Sequence, residues 1–237
     1  IIDKNWHRIV KFDKDLAANA SPPYTLAYSY PSNTSTLGMP TDIAYGTKQP
    51  QSNGDTSYPI FVPDYSKNCI FKFKFVLKWI QMGGGTFLYN SDVEDNPEIL
   101  KANVENPYAL AFHPGTSASS NDDVLWYTYG NAGCKKLGVI NAVTGNGYRG
   151  NEFTTLTYAG QTFKISVGRF SIYRSPDGQR NIMALIDNNS NMLFILKMTP
   201  QGFLDIDNPR FVVGAFNFTY QKLNSVLLTS NDNGIDG

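Results

Sequence analysis

Histidine is nearly absent from this chain, which carries only His7 and His113 in 237 residues. A histidine-built metal centre is therefore excluded, and no GxSxG, HExxH or phosphate-loop pattern supplies another catalytic signature. Cysteine is as scarce: Cys69 and Cys134 are too few to staple a fold, and their spacing fits no zinc motif. An excess of one charge is also missing. The 20 acidic and 20 basic residues cancel, so composition argues against nucleic acid or an anionic membrane as the main partner. Apolar runs stop far short of the roughly 18 to 20 residues that a spanning helix requires, and no leader pattern opens the chain. The GGG at 83–85 follows no strand-to-helix pattern and reads as a turn.

What remains is rich in Asn, Ser, Thr, Tyr and Gly, with 41% apolar residues, enough for one large domain or two small ones with buried cores, and a single all-β domain over 1–237 is the expectation. Four glycosylation sequons begin at Asn19, Asn33, Asn188 and Asn217. Together with the low charge they predict an extracellular or cell-surface glycoprotein. A chain that opens at Ile1 inside a strand-like run is expected to be a processed product or part of something larger.

Four stretches line up at steps of about 60 residues: IIDKNWHRIVKF (1–12), FVPDYSKNCIFKF (61–73), LWYTYGNAGCKKLGVI (125–140) and LIDNNSNMLFILKM (185–198). Each is a β-rich run, a polar turn and a second β-rich run, the pattern of a hairpin. Asp3, Asp64 and Asp187 share one place at the end of the first run, where Tyr127 to Tyr129 stand in the third copy. Further strands are predicted upstream at 39–46, 106–113 and 169–174, and downstream at 24–30, 152–158 and 211–218. Four antiparallel strands per repeat, with no helical periodicity, predict an all-β chain folded as a β-propeller.

In two copies the strand pattern is more specific. Pro40, Ile43, Ala44, Val62, Asp64, Asn68, Ile70 and Phe73, with Asp3, Arg8, Ile9, Phe12 and Asp13, form a pattern that resembles the NHL-repeat type of β-propeller. The third copy lacks the Asp and the fourth lacks the Pro. Blade 1 is assigned to 1–36 plus 222–237, blade 2 to 37–104, blade 3 to 105–165 and blade 4 to 166–221. The C-terminal strand would then complete the N-terminal blade and close a four-bladed ring, which leaves no free edge. A fragment of a five- or six-bladed ring is the alternative.

Within such a ring the polar insertions 46–59, 113–123 and 142–151 share one face and are the expected contact loops for other protein domains or copies of the chain. The connection 81–107 lies on the opposite face, where its acidic SDVEDNPE segment is expected to fold over the channel mouth. Asp42, Asn106, Arg169 and Asn224 are the polar candidates at the channel itself. One carboxylate, two amides and a guanidinium make a poor cage for a hard cation, so no cofactor is expected; Ca2+ held by Asp42 and Asn106 is the alternative. The repeated Asp residues are expected to accept backbone N–H groups in their turns. Trp6 and Tyr65 are candidate exposed aromatics for binding, against packing between blades. Cys69 and Cys134 sit just after their turns, where either buried thiols or a disulfide between adjacent blades is open to them. The expectation for function is a protein-binding or structural scaffold, with a divalent-cation hydrolase or lyase and a carbohydrate-binding propeller as alternatives.

Overall fold

Every regular element in the computed structural model is a β-strand; it describes residues 2–3, 8–14, 24–30, 36–51, 54–81, 87–93, 96–116, 121–148, 153–175, 177–206 and 212–217. The all-β expectation holds, and each sheet among the described residues is open and antiparallel. The chain divides into two compact units, Ile1–Asn106 and Pro107–Gly237.

In the first unit, β1 (Ile2–Asp3), β2 (Arg8–Lys14) and β3 (Tyr24–Tyr30) form a sheet in that order. A larger sheet contains β4 (Ala44–Tyr45), β5 (Gln49–Pro50), β6 (Thr56–Asp64), β7 (Cys69–Gln81), β8 (Phe87–Val93) and β9 (Glu98–Lys101). Its path runs β4-β6-β7-β8, with β5 added to β6 and β9 to β7. Along β7, Phe71 and Phe73 turn inward while Lys72 and Lys74 stay outside, the period-two alternation of a half-buried strand. Ile9, Leu37, Ile60, Val62, Cys69, Phe71 and Phe73 make the core.

The second unit begins with β10 (Leu110–His113), β11 (Val124–Tyr129) and β12 (Lys136–Asn141), paired in sequence order. A small hairpin, β13 (Thr155–Tyr158) and β14 (Gln161–Lys164), follows. A four-stranded sheet completes it: β15 (Val167–Arg174), β16 (Asn181–Asp187), β17 (Met192–Lys197) and β18 (Val212–Asn217), again in order. Trp126, Leu137, Met183, Leu185, Phe194 and Leu196, all fully buried, anchor the core.

The turns explain the repeat. Asp3 pairs with Arg8, Asp64 with Cys69 and Asp187 with Met192, so three hairpins close in one register. Asn68 (φ 53°) and Asn191 (φ 54°) each end their turn in the left-handed region, which asparagine tolerates better than most residues. The expectation for the aspartates holds at Asp64 and Asp187, both fully buried. Asp64 accepts N–H bonds from Lys67 (3.0 Å) in its turn and from Met39 (2.9 Å) in the approach to β4. Asp187 accepts from Asn189 (3.2 Å) and Ser190 (2.9 Å), and from Ser166 (2.7 Å) in the approach to β15. Backbone bonds repeat the match, Tyr65 N–H to Met39 and Asn188 N–H to Ser166, each 2.9 Å. Each carboxylate thus clips its turn to the segment that leads into the same sheet. In the third copy Thr128, inside β11, supplies the bond to the preceding segment, its Oγ1 accepting Ala109 N–H at 3.0 Å.

Several loop assignments are corrected. Residues 46–59 are not an open loop, because Gln49 and Pro50 pair with Ser57 and Thr56 and lengthen the sheet. The connection 81–107 holds two strands, β8 and β9, both paired to the 13-residue β7. Two of its acidic residues are therefore drawn onto the sheet: Asp92 pairs with Val76 and Glu98 with Lys72. Among the described residues, the strand expected at 152–158 pairs with β12 at the Leu137–Phe153 bridge and then turns back on β14, since Ala159 and Gly160 both take positive φ and make a tight reversal. The closing strand expected from 222–237 lies outside the described residues.

Candidate interaction surface

Because β10, β11 and β12 are antiparallel neighbours, segments 114–123 and 142–148 leave the same end of one sheet. Asn141, the last residue of β12, joins them. Its Nδ2 donates to Asn121 O at 2.7 Å and to Tyr148 Oη at 3.2 Å, while its Oδ1 accepts Val143 N–H (2.9 Å) and Thr144 N–H (2.8 Å). Asp122 accepts Thr116 N–H and Asp123 accepts Gly115 N–H, both at 2.8 Å, so the first loop is fastened at its described ends.

Two further segments join this end. The ring of Tyr148 meets Phe203 edge-on with centroids 4.8 Å apart, and Trp126 Nε1 donates to Gly202 O at 2.7 Å. His113, fully buried at the end of β10, places Nε2 3.3 Å from Asn181 Oδ1, while Asn181 Nδ2 donates to Gly178 O at 3.0 Å. Segments 113–116, 121–123, 142–148, 178–181 and 199–206 are thus tied into one surface. Val143 (37% exposed) and Ile206 (54% exposed) project apolar side chains from it. Sequence reasoning expected the 113–123 and 142–151 loops here but missed Asn141, Tyr148 and Phe203. The signal for Asn141 was available as an Asn at a strand end with Thr144-Gly145 three residues on.

Three of the four channel candidates, Asp42, Asn106 and Arg169, lie among the described residues. Asp42 Oδ1 accepts Ile43 N–H at 2.9 Å, and Asn106, at φ 47°, donates its N–H to Asn68 Oδ1 at 2.9 Å. In the second unit Arg169 stacks on Tyr108, its Cζ 4.7 Å from the ring centroid, beside Lys135 Nζ at 3.3 Å. Cation–π packing, rather than a bare guanidinium, describes Arg169. Asn224 lies outside the described residues. Among the described residues, no group of three or more His, Cys, Asp or Glu is placed to hold a metal ion.

Elsewhere in the first unit a pocket of about 230 Å³ is lined by Gln49, Pro59, Lys72, Phe73, Lys74, Asn96 and Glu98, with Lys72 Nζ 2.6 Å from Glu98 Oε1. Tyr65 is half-buried; Trp6 lies outside the described residues. Of the sequons, Asn188 is exposed at the β16–β17 turn, Asn217 ends β18, and Asn19 and Asn33 lie outside the described residues.

Both cysteines are free thiols, Cys69 buried and Cys134 exposed. Burial, with Asp64 adding to it and Lys67 opposing, pushes the Cys69 thiol up to about 11. Iodoacetamide at neutral pH is therefore expected to label Cys134 alone in the folded protein and both after unfolding, read by mass spectrometry. Labelling of neither before reduction would restore the disulfide.

Comparison with family models, curated proteins and solved structures finds no match to this chain.

Proposed function

We propose that this chain is a secreted or cell-surface β-propeller of the NHL-repeat kind, closed by its N- and C-terminal strands, that binds a protein partner. Contact is made through the loop end of the second unit. The observation that carries this reading is Asn141, which welds two polar loops into one ordered surface on a rigid sheet. Three hairpins in a common register support the blade repeat, and the exposed Asn188 sequon supports an extracellular setting.

A photo-crosslinking side chain at Val143 or Ile206, presented to the secreted and surface proteins of the producing cell, is expected to give a saturable protein adduct. The double change Val143→Asp and Ile206→Asp is expected to weaken that partner at least about tenfold, since charge at an apolar contact is costly. No saturable adduct at either position, with the protein folded, would overturn the reading.

A further inference from the structure

The buried imidazole of His113 has a place in the loop end that the binding reading does not use. It rises from the last position of β10 and packs directly on Gly202, where an added Cβ would lie 2.5 Å from Nδ1. Gly202 is held from its other side by Trp126 Nε1, and the next residue, Phe203, carries the ring that meets Tyr148. One side chain therefore sets the seat of the 199–206 turn.

The protons can be placed. Asn181 Nδ2 is committed to Gly178 O, which leaves Oδ1 facing His113, so the neutral ring carries its hydrogen on Nε2. Nδ1 is buried with no partner in hydrogen-bond geometry. A second proton would add a hydrogen there, in the tight space against Gly202, and a charge where water does not reach.

We propose that His113 is a pH-sensitive latch: its neutral imidazole seats Gly202, and protonation releases the 199–206 turn from Trp126 and Tyr148. The inference rests on the loop end being the binding surface, and makes partner binding dependent on pH.

The groups around the ring agree with this direction. Arg174 of β15 opposes a positive charge, Asn181 of β16 is neutral and favours it, and the Pro114 backbone favours it too. Asp123, beside the strand partner of His113, gives its carboxylate to Gly115 N–H. Gly202 contributes no charge from the 199–206 turn. Burial outweighs the rest and lowers the imidazole from its ordinary 6.5. A lowered folded value means that the unfolded chain binds the proton first. The stability contributed by neutral His113 is full above 6.5 and is lost as pH falls below it toward the folded value.

The test needs no partner. The indole Nε1–H resonance of Trp126, assigned with Trp126→Phe, and the His113 ring resonances are followed by NMR between about pH 8 and pH 5. Expected is a His113 midpoint below 6.5, with the Trp126 Nε1–H losing exchange protection through the same range, and no such loss in His113→Gln. A midpoint at or above 6.5, or a Trp126 signal that ignores the titration, would overturn the latch; both are read on the unaltered protein, where the proximity of Nε1–H to Gly202 assigns the indole should Trp126→Phe misfold. Failure of the latch leaves the crosslinking result untouched, and failure of the crosslinking leaves the titration standing.

Discussion

Asp187→Ala is expected to destabilise the second unit by about 3 kcal/mol or more, read as a lower denaturant midpoint with an unchanged slope. The carboxylate is fully buried and accepts the N–H groups of Ser166, Asn189 and Ser190, together with the Ser190 hydroxyl. Alanine removes the acceptor and leaves these donors behind. Those in the turn can rotate toward water, since Asn189 is exposed, whereas Ser166 is buried and its N–H has nowhere to go. A buried orphan donor costs about 1 to 3 kcal/mol, and hydrogen bonds to a charged acceptor contribute about 1.5 to 3 kcal/mol each. Asp187→Asn separates the two parts. It keeps one oxygen acceptor, and its loss is expected to be roughly half that of alanine. A loss below about 1 kcal/mol for Asp187→Ala would show that the clip is ornamental.

The same residues show what the sequence could and could not say. The position of Asp64 and Asp187 was legible because a carboxylate at a strand end, followed by a polar turn, has a local use. Their reach back to Met39 and Ser166 was not, since those partners lie 25 and 21 residues away. Thr128 escaped for a related reason. It holds the preceding segment with one hydroxyl, and its partner Ala109 lies 19 residues away.

Strand pairing divided in the same way. Strands with a continuous apolar run or clear alternation and a short turn between them, such as β6-β7 and β16-β17, were readable from residue types alone. The segments misread as loops, 46–59 and 81–107, contain strands that extend β6 and β7 at their outer ends or edges, and two of these, β5 and β9, are short and largely exposed. Apolar patterning cannot mark a strand whose side chains face water. Lys72 and Glu98 belong to this class: the ion pair is visible only once β9 lies on β7. The loop end was half legible. Its loops were placed by strand order, but the Asn141, Tyr148 and Phe203 contacts that join them depend on how two separate connections meet.

Gly202→Ala is the second change expected to cost about 3 kcal/mol, and it acts without removing any hydrogen-bonding group. Gly202 has φ 85°, a conformation that L-residues rarely adopt, and placing alanine there strains the backbone by about 1 to 3 kcal/mol. The new methyl would also lie 2.5 Å from Nδ1 and 2.7 Å from Cγ of His113, and the ring is fully buried with no open side to move into. Overpacking adds about 1 to 3 kcal/mol more. The two contributions separate in a cycle with His113→Ala, which makes room for the methyl but leaves φ at 202 unchanged. Gly202→Ala on that background is expected to cost about 1 to 2 kcal/mol less than on the wild type, the difference being the steric part. A cost that does not depend on residue 113 would place the whole effect in the backbone and remove the close packing of His113 on Gly202 on which the latch depends.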